Sequence, residues 1–291
     1  MEEKNLEKMR ESYIERGWAS SGAIIDPELL SRARSLVEKV EERRPDRPMP
    51  SSVKGFLSWA EGQQRPQRLN QFIALQYDAI YSLVTSRLIG RIAACLASTL
   101  KVRLFNTALV VKKPGQSHPY STVGWHCDSA YWQTCTSQQM LTAWIPLDDT
   151  TAECGTLSVL SQSHKWRNDP RCKSMYQHQA FLSDNETALS NELRSAGKPW
   201  RPEPLILKAG QVSFHHMYTL HGSAINQTNK PRFAIAVHLQ DDLNRFKSET
   251  DQRGEKQSYV LDDLVRRTKT GDPDYCDPDI CPVIWSSGTT R

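Results

Sequence analysis

The 291-residue chain contains no run of eighteen apolar residues, so it offers no candidate for a membrane-spanning helix. Its opening, MEEKNLEKMRESYIERGW, is charged and helix-forming and lacks the apolar core of a secretory signal. The closing SSGTTR carries no peroxisomal Ser-Lys-Leu tripeptide. No C-x-x-C spacing recurs among Cys95, Cys127, Cys135, Cys154, Cys172, Cys276 and Cys281. That odd set argues against a disulfide framework, and a reduced, cytoplasmic protein is the expectation. Cys276 and Cys281 stand in CDPDIC with no companion His and read as part of a tail rather than a metal site. A dominant charge is also lacking: 37 basic residues face 33 acidic ones, for a net charge of +4. The basic residues are scattered rather than striped, which argues against nucleic acid as a partner. The densest basic cluster, RRPDRP at 43–48, reads as a solvated helix end. There is no internal repeat and no low-complexity segment.

The length suits one large domain, since all-β sandwiches and barrels often run this long. Residues 1–100 read as mainly helical. Asp26-Pro27 places a capping residue before a proline at the first helical position. Leu29, Leu30, Ala33, Leu36, Val37 and Val40 then recur at helical spacing. A second helical stretch runs from about Asp78 to Leu100, with Gly90 a candidate break, and RRPDRPMPSSVKG between the two reads as a loop. From Lys101 to Asp241 short β-like runs take over: RLFNTALVVKK, QMLTAWIPLDD, GTLSVLSQSH, PLILKAGQVSFHH and RFAIAVHLQ. Phe233, Ile235, Val237 and Leu239 alternate as a half-buried strand requires. Ser183-x-x-Glu186 is a candidate capping box for a short helix between strands. Residues 242–291 are polar and irregular, with one short helical segment near SYVLDDLVRR. This order suggests a mainly β protein with flanking helices over a sandwich or jelly-roll core, a single domain throughout.

Within that β region, GWHCDSAYW supplies His126 and Asp128, TLHGS supplies His221, and Arg232 follows eleven residues later. Residues two apart on a strand share a face, so His126 and Asp128 can reach one metal while Cys127 turns away. Two imidazoles and one carboxylate, with coordination positions left open, are the ligand set of non-haem Fe(II) oxygenases. Arg232, on the next expected strand, offers a fork that fits the far carboxylate of a dicarboxylate such as 2-oxoglutarate. A lone His-x-Asp is more often a surface pair than a metal site. The distant His and Arg, and the surrounding text, favour the metal site.

From about residue 10 to 240 the sequence resembles the phytanoyl-CoA dioxygenase family of Fe(II)/2-oxoglutarate oxygenases. Lys113-Pro114 follows a strand ahead of His-x-Asp, and Trp144 stands sixteen residues after Asp128. GTLSVLSQSH, with Ser163 and His164, matches the family's turn, strand and Ser-His. AGQVSFHHMYTLHGSAINQTNKPR matches its closing pattern through His221, Ser223 and Arg232. The resemblance implies a double-stranded β-helix (jelly-roll, cupin-like) core. It implies Fe(2+) held by His126, Asp128 and His221, with 2-oxoglutarate and O2 as co-substrates. It also implies 2-oxoglutarate contacts from Arg232, Ser223, Trp144 and Lys113. Core packing is the alternative for Trp144. For Lys113 the alternative is a solvated strand end, and its neighbour Lys112 leaves open which lysine points inward.

His118, His164, His215 and His216 read as supporting or core histidines, His216 being the best candidate to support a metal ligand. Of the aromatics Tyr120, Trp125, Tyr131 and Trp132, half or more are expected to pack the core, and one of Tyr131 and Trp132, which directly follow the metal motif, is expected to touch substrate. The expected reaction is oxidation, foremost hydroxylation, of a C–H bond in a small molecule from natural-product biosynthesis. The Asp128 carboxylate favours hydroxylation over halogenation. The competing readings are an acyl-CoA or amino-acid hydroxylase of the same family and a non-catalytic cupin-like metal-binding protein. Neither a nucleic acid nor a membrane is an expected partner, and the oligomeric state is left open.

Overall fold

The computed structural model describes residues 2–38, 40, 45–47, 67–115, 122–177, 179–180, 184–251 and 254–288. His118, Tyr120, Ser183 and most of the loop at 43–55 lie outside the described residues.

The chain begins with helix α1 (Glu3–Arg16), strand β1 (Trp18–Ala23) and helix α2 (Pro27–Glu38). Strand β2 (Gln67–Gln71) leads into three helices, α3 (Ile73–Gln76), α4 (Asp78–Val84) and α5 (Arg87–Leu96). Next come β3 (Lys101–Lys112), β4 (Val123–His126), β5 (Leu141–Pro146) and β6 (Ser158–Leu160). Helix α6 (Glu186–Ser195) is followed by β7 (Pro202–Pro204), β8 (Gln211–His216), β9 (His221–Ser223) and β10 (Arg232–Asp241). The last strand is β11 (Val283–Ser286).

Two antiparallel sheets result. The larger runs β1-β8-β5-β10-β3-β11, with β2 also paired to β3. The smaller runs β4-β9-β6-β7. This is the jelly-roll sandwich with flanking helices that the strand pattern suggested. Phe233, Ile235, Val237 and Leu239 face a core shared with Leu36, Val37, Ile80, Leu83, Ile89 and Ile92 of the helices. On the other face of β10, Ala234 packs with Trp144, Leu157, Val159, Leu205 and Leu207 between the sheets. β10 is therefore covered on both faces, not half-buried.

Local chemistry explains two of the helix ends. The Asp26 carboxylate accepts from the backbone N–H of Glu28 (2.9 Å) and Leu29 (3.1 Å), capping α2 ahead of Pro27 as the sequence suggested. The expected break at Gly90 is instead at Thr85-Ser86, where the extended Ser86 (φ −50°, ψ 123°) separates α4 from α5. Gly90 lies inside α5, and a Cβ there would come within 2.6 Å of Trp285 Cβ. Its glycine permits close approach of α5 to β11.

Two further features go beyond the expectations. The first hundred residues are not only helical, because β1 and β2 both join the larger sheet. The tail beyond residue 241 has a 3-10 turn at Val260–Asp263, where a short helical segment was expected, and it also returns to pair β11 with β3. Among the described residues no single helix is long and apolar enough to cross a membrane. The bent pair α4 and α5 meets the length and composition together, but its apolar side chains fill the core.

One irregularity sets the orientation of the site. The β3–β10 ladder shifts register between His238↔Asn106 and Leu239↔Leu104, so Phe105 is an extra residue in β3. Such a bulge reverses which side chains face inward. Val102 and Leu104 point to the helical core before it, and Leu109 and Val111 do so after it. Asn106, Ala108 and Val110 therefore line the space between the sheets.

Candidate active site

That space is a cavity of about 250 Å³. His126 ends β4 and His221 begins β9, and the two are direct partners across the ladder with ring centroids 4.3 Å apart. Asp128 is not on the strand as expected. Cys127 is extended, and Asp128 opens a 3-10 turn at Asp128–Ala130 that carries its carboxylate back to the imidazoles. Asp128 Oδ1 lies 3.6 Å from His221 Nε2. One donor atom from each of His126, Asp128 and His221 lies within 4.8 Å of the others, all three are buried, and together they could hold a metal ion.

The imidazoles are oriented by the backbone. His126 Nδ1 is 2.7 Å from the carbonyl of Gly124, and His221 Nδ1 is 2.9 Å from that of Thr219. A carbonyl only accepts, so each Nδ1 carries the proton and each Nε2 presents a lone pair. Burial pushes both imidazoles below their usual range, His221 well below it, which keeps them in the neutral form that ligates metals. Burial alone would raise the Asp128 carboxyl, but His221, His215 and His238 outweigh it and hold the group well below the usual carboxylate range.

A polar row crosses the inner face of the larger sheet beneath this cluster. Asn106 on β3 pairs with His238 on β10, His238 with Thr142 on β5, and Thr142 with His215 on β8. The Thr142 hydroxyl donates to Asp128 Oδ2 at 2.5 Å and faces His238 Nδ1 at 2.8 Å. Its one proton is spent on Asp128, so His238 Nδ1–H is the donor in the second bond. His215 Nε2 approaches Asp128 Oδ2 at 3.4 Å. Sequence reasoning singled out His216 for this supporting role. Adjacent strand residues face opposite ways, and His216 instead sits 5.8 Å from the Tyr13 ring and 5.7 Å from that of His164. His164 thus also lies away from the site, with its Nε2 3.1 Å from the Ile14 carbonyl.

Further along β10, Arg232 opens the strand opposite Lys112. Its guanidinium is buried, 5.6 Å from the Trp144 ring, and its Nε and Nη1 have no hydrogen-bond partner among the described residues. Burial lowers its pKa to about 10, leaving it charged at neutral pH. The resemblance placed Lys113 at the co-substrate and left open which lysine points inward; Lys112 is the buried one. It continues the inward face of Asn106, Ala108 and Val110, whereas Lys113 lies beyond the strand end and is half-buried. Lys112 Nζ donates to Ser223 Oγ (2.5 Å), to the Ser223 carbonyl (3.2 Å) and to the Ala224 carbonyl. Burial first, and Arg232 second, push its pKa well below the usual range.

Ser223, Trp144, Tyr131 and Trp132 all line the cavity. The Tyr131 ring stands perpendicular to that of His126 at 5.6 Å, and Trp132 packs at 5.0 Å against His238. Trp125 does not take part, because it packs against Trp200 at 4.9 Å in a separate cluster. Sequence reasoning missed Thr142, His238, Asn106, Gln71 and Tyr259, and named His215 only as one of four supporting or core histidines. All six line the cavity, and Tyr259 comes from the tail.

The donor set therefore fits a divalent first-row metal, being two neutral imidazoles and a carboxylate. A buried guanidinium with unpartnered nitrogens fits a carboxylate arriving from outside, since leaving such groups unpaired costs about 1–3 kcal/mol or more.

Comparison with known proteins is consistent with this arrangement. Residues 21–234 match the family model for phytanoyl-CoA dioxygenase (PhyH). The chain belongs to the phytanoyl-CoA dioxygenase family. This phytanoyl-CoA dioxygenase family member is 31% identical over 166 residues to a probable alpha-ketoglutarate-dependent hypophosphite dioxygenase of Stutzerimonas stutzeri, covering 55% of this chain and 53% of that protein. The chain spans about half the length of the curated relatives it matches. Among solved structures, the family fold superposes on the non-heme alpha ketoglutarate dependent carbocyclase SnoK from nogalamycin biosynthesis with a TM-score of 0.69. Identity there is 21%, with 97% of this chain and 96% of that one covered. The epimerase SnoN, solved with Fe3+, alpha ketoglutarate and nogalamycin RO, gives a TM-score of 0.69 at 18% identity, covering 97% and 100%. At these identities the likeness is one of fold.

Proposed function

We propose that this chain is an Fe(II)- and 2-oxoglutarate-dependent oxygenase acting on a C–H bond of a small molecule. The observation that carries the proposal is the buried cluster of His126, Asp128 and His221, with donor atoms within 4.8 Å, opening onto a cavity that also contains Arg232, whose Nε and Nη1 have no hydrogen-bond partner among the described residues. Fe(II) held there, with 2-oxoglutarate and O2, supplies the oxidising power that breaks the substrate C–H bond, giving succinate and CO2 as co-products.

The protein's part is binding, orientation and exclusion of water. His126 and His221 offer Nε2 lone pairs, and Asp128 offers Oδ1 while Thr142 holds Oδ2. Arg232 provides charged N–H donors for the far carboxylate of 2-oxoglutarate. Ser223, whose hydroxyl is oriented by Lys112, and Trp144, beside the guanidinium, complete that end. Lys113 is replaced in this role by Lys112. Tyr131 and Trp132 form the aromatic wall next to His126 and His238 and are the proposed substrate contacts.

The mostly apolar and aromatic lining supports a substrate with an apolar skeleton. Hydroxylation is the favoured outcome because the Asp128 carboxylate occupies the position that a halide would need. A small natural product is the favoured substrate class, supported by the fold likeness to two enzymes of nogalamycin biosynthesis.

The test is succinate release in the presence of candidate small molecules by wild type, Asp128→Ala and His221→Ala. The two variants are expected to lose substrate-dependent succinate formation. Turnover near the wild-type rate in either metal-saturated variant would overturn the assignment of these ligands.

A further inference from the structure

We propose that Tyr259 and Gln71 form a pair of hydrogen-bond donors that recognises a neutral carbonyl oxygen on the substrate. The proposal takes the cavity to be the substrate site, as above, but does not depend on which metal is bound.

Asn106 fixes the polarity of the pair. Its Oδ1 accepts from the backbone N–H of Phe72 (3.2 Å) and Thr107 (2.6 Å). Backbone N–H groups only donate, so the carboxamide has one permitted orientation and Nδ2 must donate. The two Nδ2 hydrogens go to Gln71 Oε1 at 3.0 Å and to the Tyr259 hydroxyl oxygen at 2.7 Å. Gln71 therefore spends its acceptor on Asn106 and keeps its NH2 group. The Tyr259 oxygen also interacts with Trp132, whose single polar atom is an indole N–H that can only donate. Asn106 and Trp132 are thus both donors to that oxygen, and the Tyr259 proton has no acceptor among the described residues. Burial raises the Tyr259 phenol above its usual range, so the proton stays on at neutral pH. Gln71 and Tyr259 both line the cavity.

Gln71 Oε1 and the Tyr259 oxygen flank the same Asn106 nitrogen, so the two donors are neighbours, and an acceptor with two lone pairs, which a carbonyl oxygen has, can serve both. Neutrality follows from charge. Among the described residues Arg232 is the one Lys or Arg that lines the cavity. It lies six residues along β10 from His238, the strand partner of Asn106, which is roughly 20 Å of strand. A carboxylate held by Gln71 and Tyr259 would have no Lys or Arg beside it among the described cavity-lining residues, and burying an unpaired charge is costly. Asn106 stands two strands from Thr142, the residue bonded to Asp128, a separation of roughly 10 Å. The carbonyl is thus placed about the width of a fused-ring skeleton from the oxidised carbon. Asn106 acts through its two neighbours and is a positioning residue.

The experiment is equilibrium dialysis of the anaerobic, Fe(II)- and 2-oxoglutarate-loaded protein with 1-tetralone and with tetralin, which share a skeleton and differ in the carbonyl. Wild type, Tyr259→Phe and Gln71→Leu are compared, each checked for folding by thermal melting. The preference for the ketone, read as the ratio of the two Kd values, is expected to fall about five-fold in each variant, as loss of one hydrogen bond implies. Tetralin binding should stay unchanged. A ratio unaltered in both variants, or no binding of 1-tetralone to wild type, would overturn the proposal. Either variant alone suffices if the other fails to fold. Iron and 2-oxoglutarate loading is followed by absorbance in the same samples. A variant-dependent ratio without loading removes the oxygenase reading and leaves the carbonyl site. Normal loading with an invariant ratio does the reverse.

Discussion

Thr142→Val is the sharpest perturbation of the row beneath the metal ligands, because it removes a hydroxyl while keeping a branched side chain. That hydroxyl donates to Asp128 Oδ2 at 2.5 Å and accepts from His238 Nδ1 at 2.8 Å. Losing a hydrogen bond to a charged acceptor costs about 1.5–3 kcal/mol, and stranding the buried His238 N–H adds about 1–3 kcal/mol. Asp128 would then keep His215, at 3.4 Å, as its nearest remaining support on Oδ2. Partners that orient metal ligands typically contribute about 10–100-fold to metal affinity. Thr142→Val is therefore expected to weaken Fe(II) binding by about that factor. Anaerobic competition against a chromophoric chelator reads the affinity, and thermal melting reports whether the fold survives. Thr142→Ser restores the hydroxyl and should recover most of the loss. Wild-type affinity in Thr142→Val, or a Ser variant no better than Val, would refute the role of this hydroxyl.

The two lysines at the end of β3 should behave differently. Lys112→Met, which removes the donor to Ser223, is expected to raise the Kd for 2-oxoglutarate about ten-fold, whereas Lys113→Met leaves it unchanged. Isothermal titration of both variants checks this, and the opposite order would restore Lys113. A pH dependence follows from His238 and His216, which burial holds down to about 4 and about 3. Unfolded imidazoles bind a proton near pH 6.5, so below that pH the unfolded chain binds more protons than the folded one. Stability of the metal-free protein should fall as the pH drops from about 6.5 toward 4, by up to about 1.4 kcal/mol per pH unit for each histidine. Urea midpoints at pH 7, 6 and 5 measure the slope, and a midpoint that is flat or rises on acidification contradicts the burial of neutral imidazoles.

The sequence was most legible where a local pattern has one structural meaning. The alternation through Phe233, Ile235, Val237 and Leu239 marked a strand, Asp26-Pro27 marked a helix start, and the ordered set from Lys113-Pro114 to Arg232 marked the metal and co-substrate ends. It was least legible where the outcome depends on register. The extra residue at Phe105 decides which face of β3 looks inward, and so decides between Lys112 and Lys113. Strand parity decides between His215 and His216, neighbours of the same chemistry. Thr142, His238 and Asn106 form a row only because three ladders align them, a relation with no trace in linear spacing. Tyr259 was hidden for a further reason. It lies in a polar tail without periodicity, and only the return of that tail to β3 through β11 brings it near the cavity.

The most direct test of the proposed chemistry is an anaerobic absorption titration: Fe(II) is added to the metal-free protein, then 2-oxoglutarate. A visible metal-to-ligand charge-transfer band is expected, with Arg232→Ala shifting its midpoint to higher 2-oxoglutarate concentration. Tight Fe(II) binding with no band at any 2-oxoglutarate concentration would contradict the co-substrate assignment, and with it the reading of Arg232 as a carboxylate clamp.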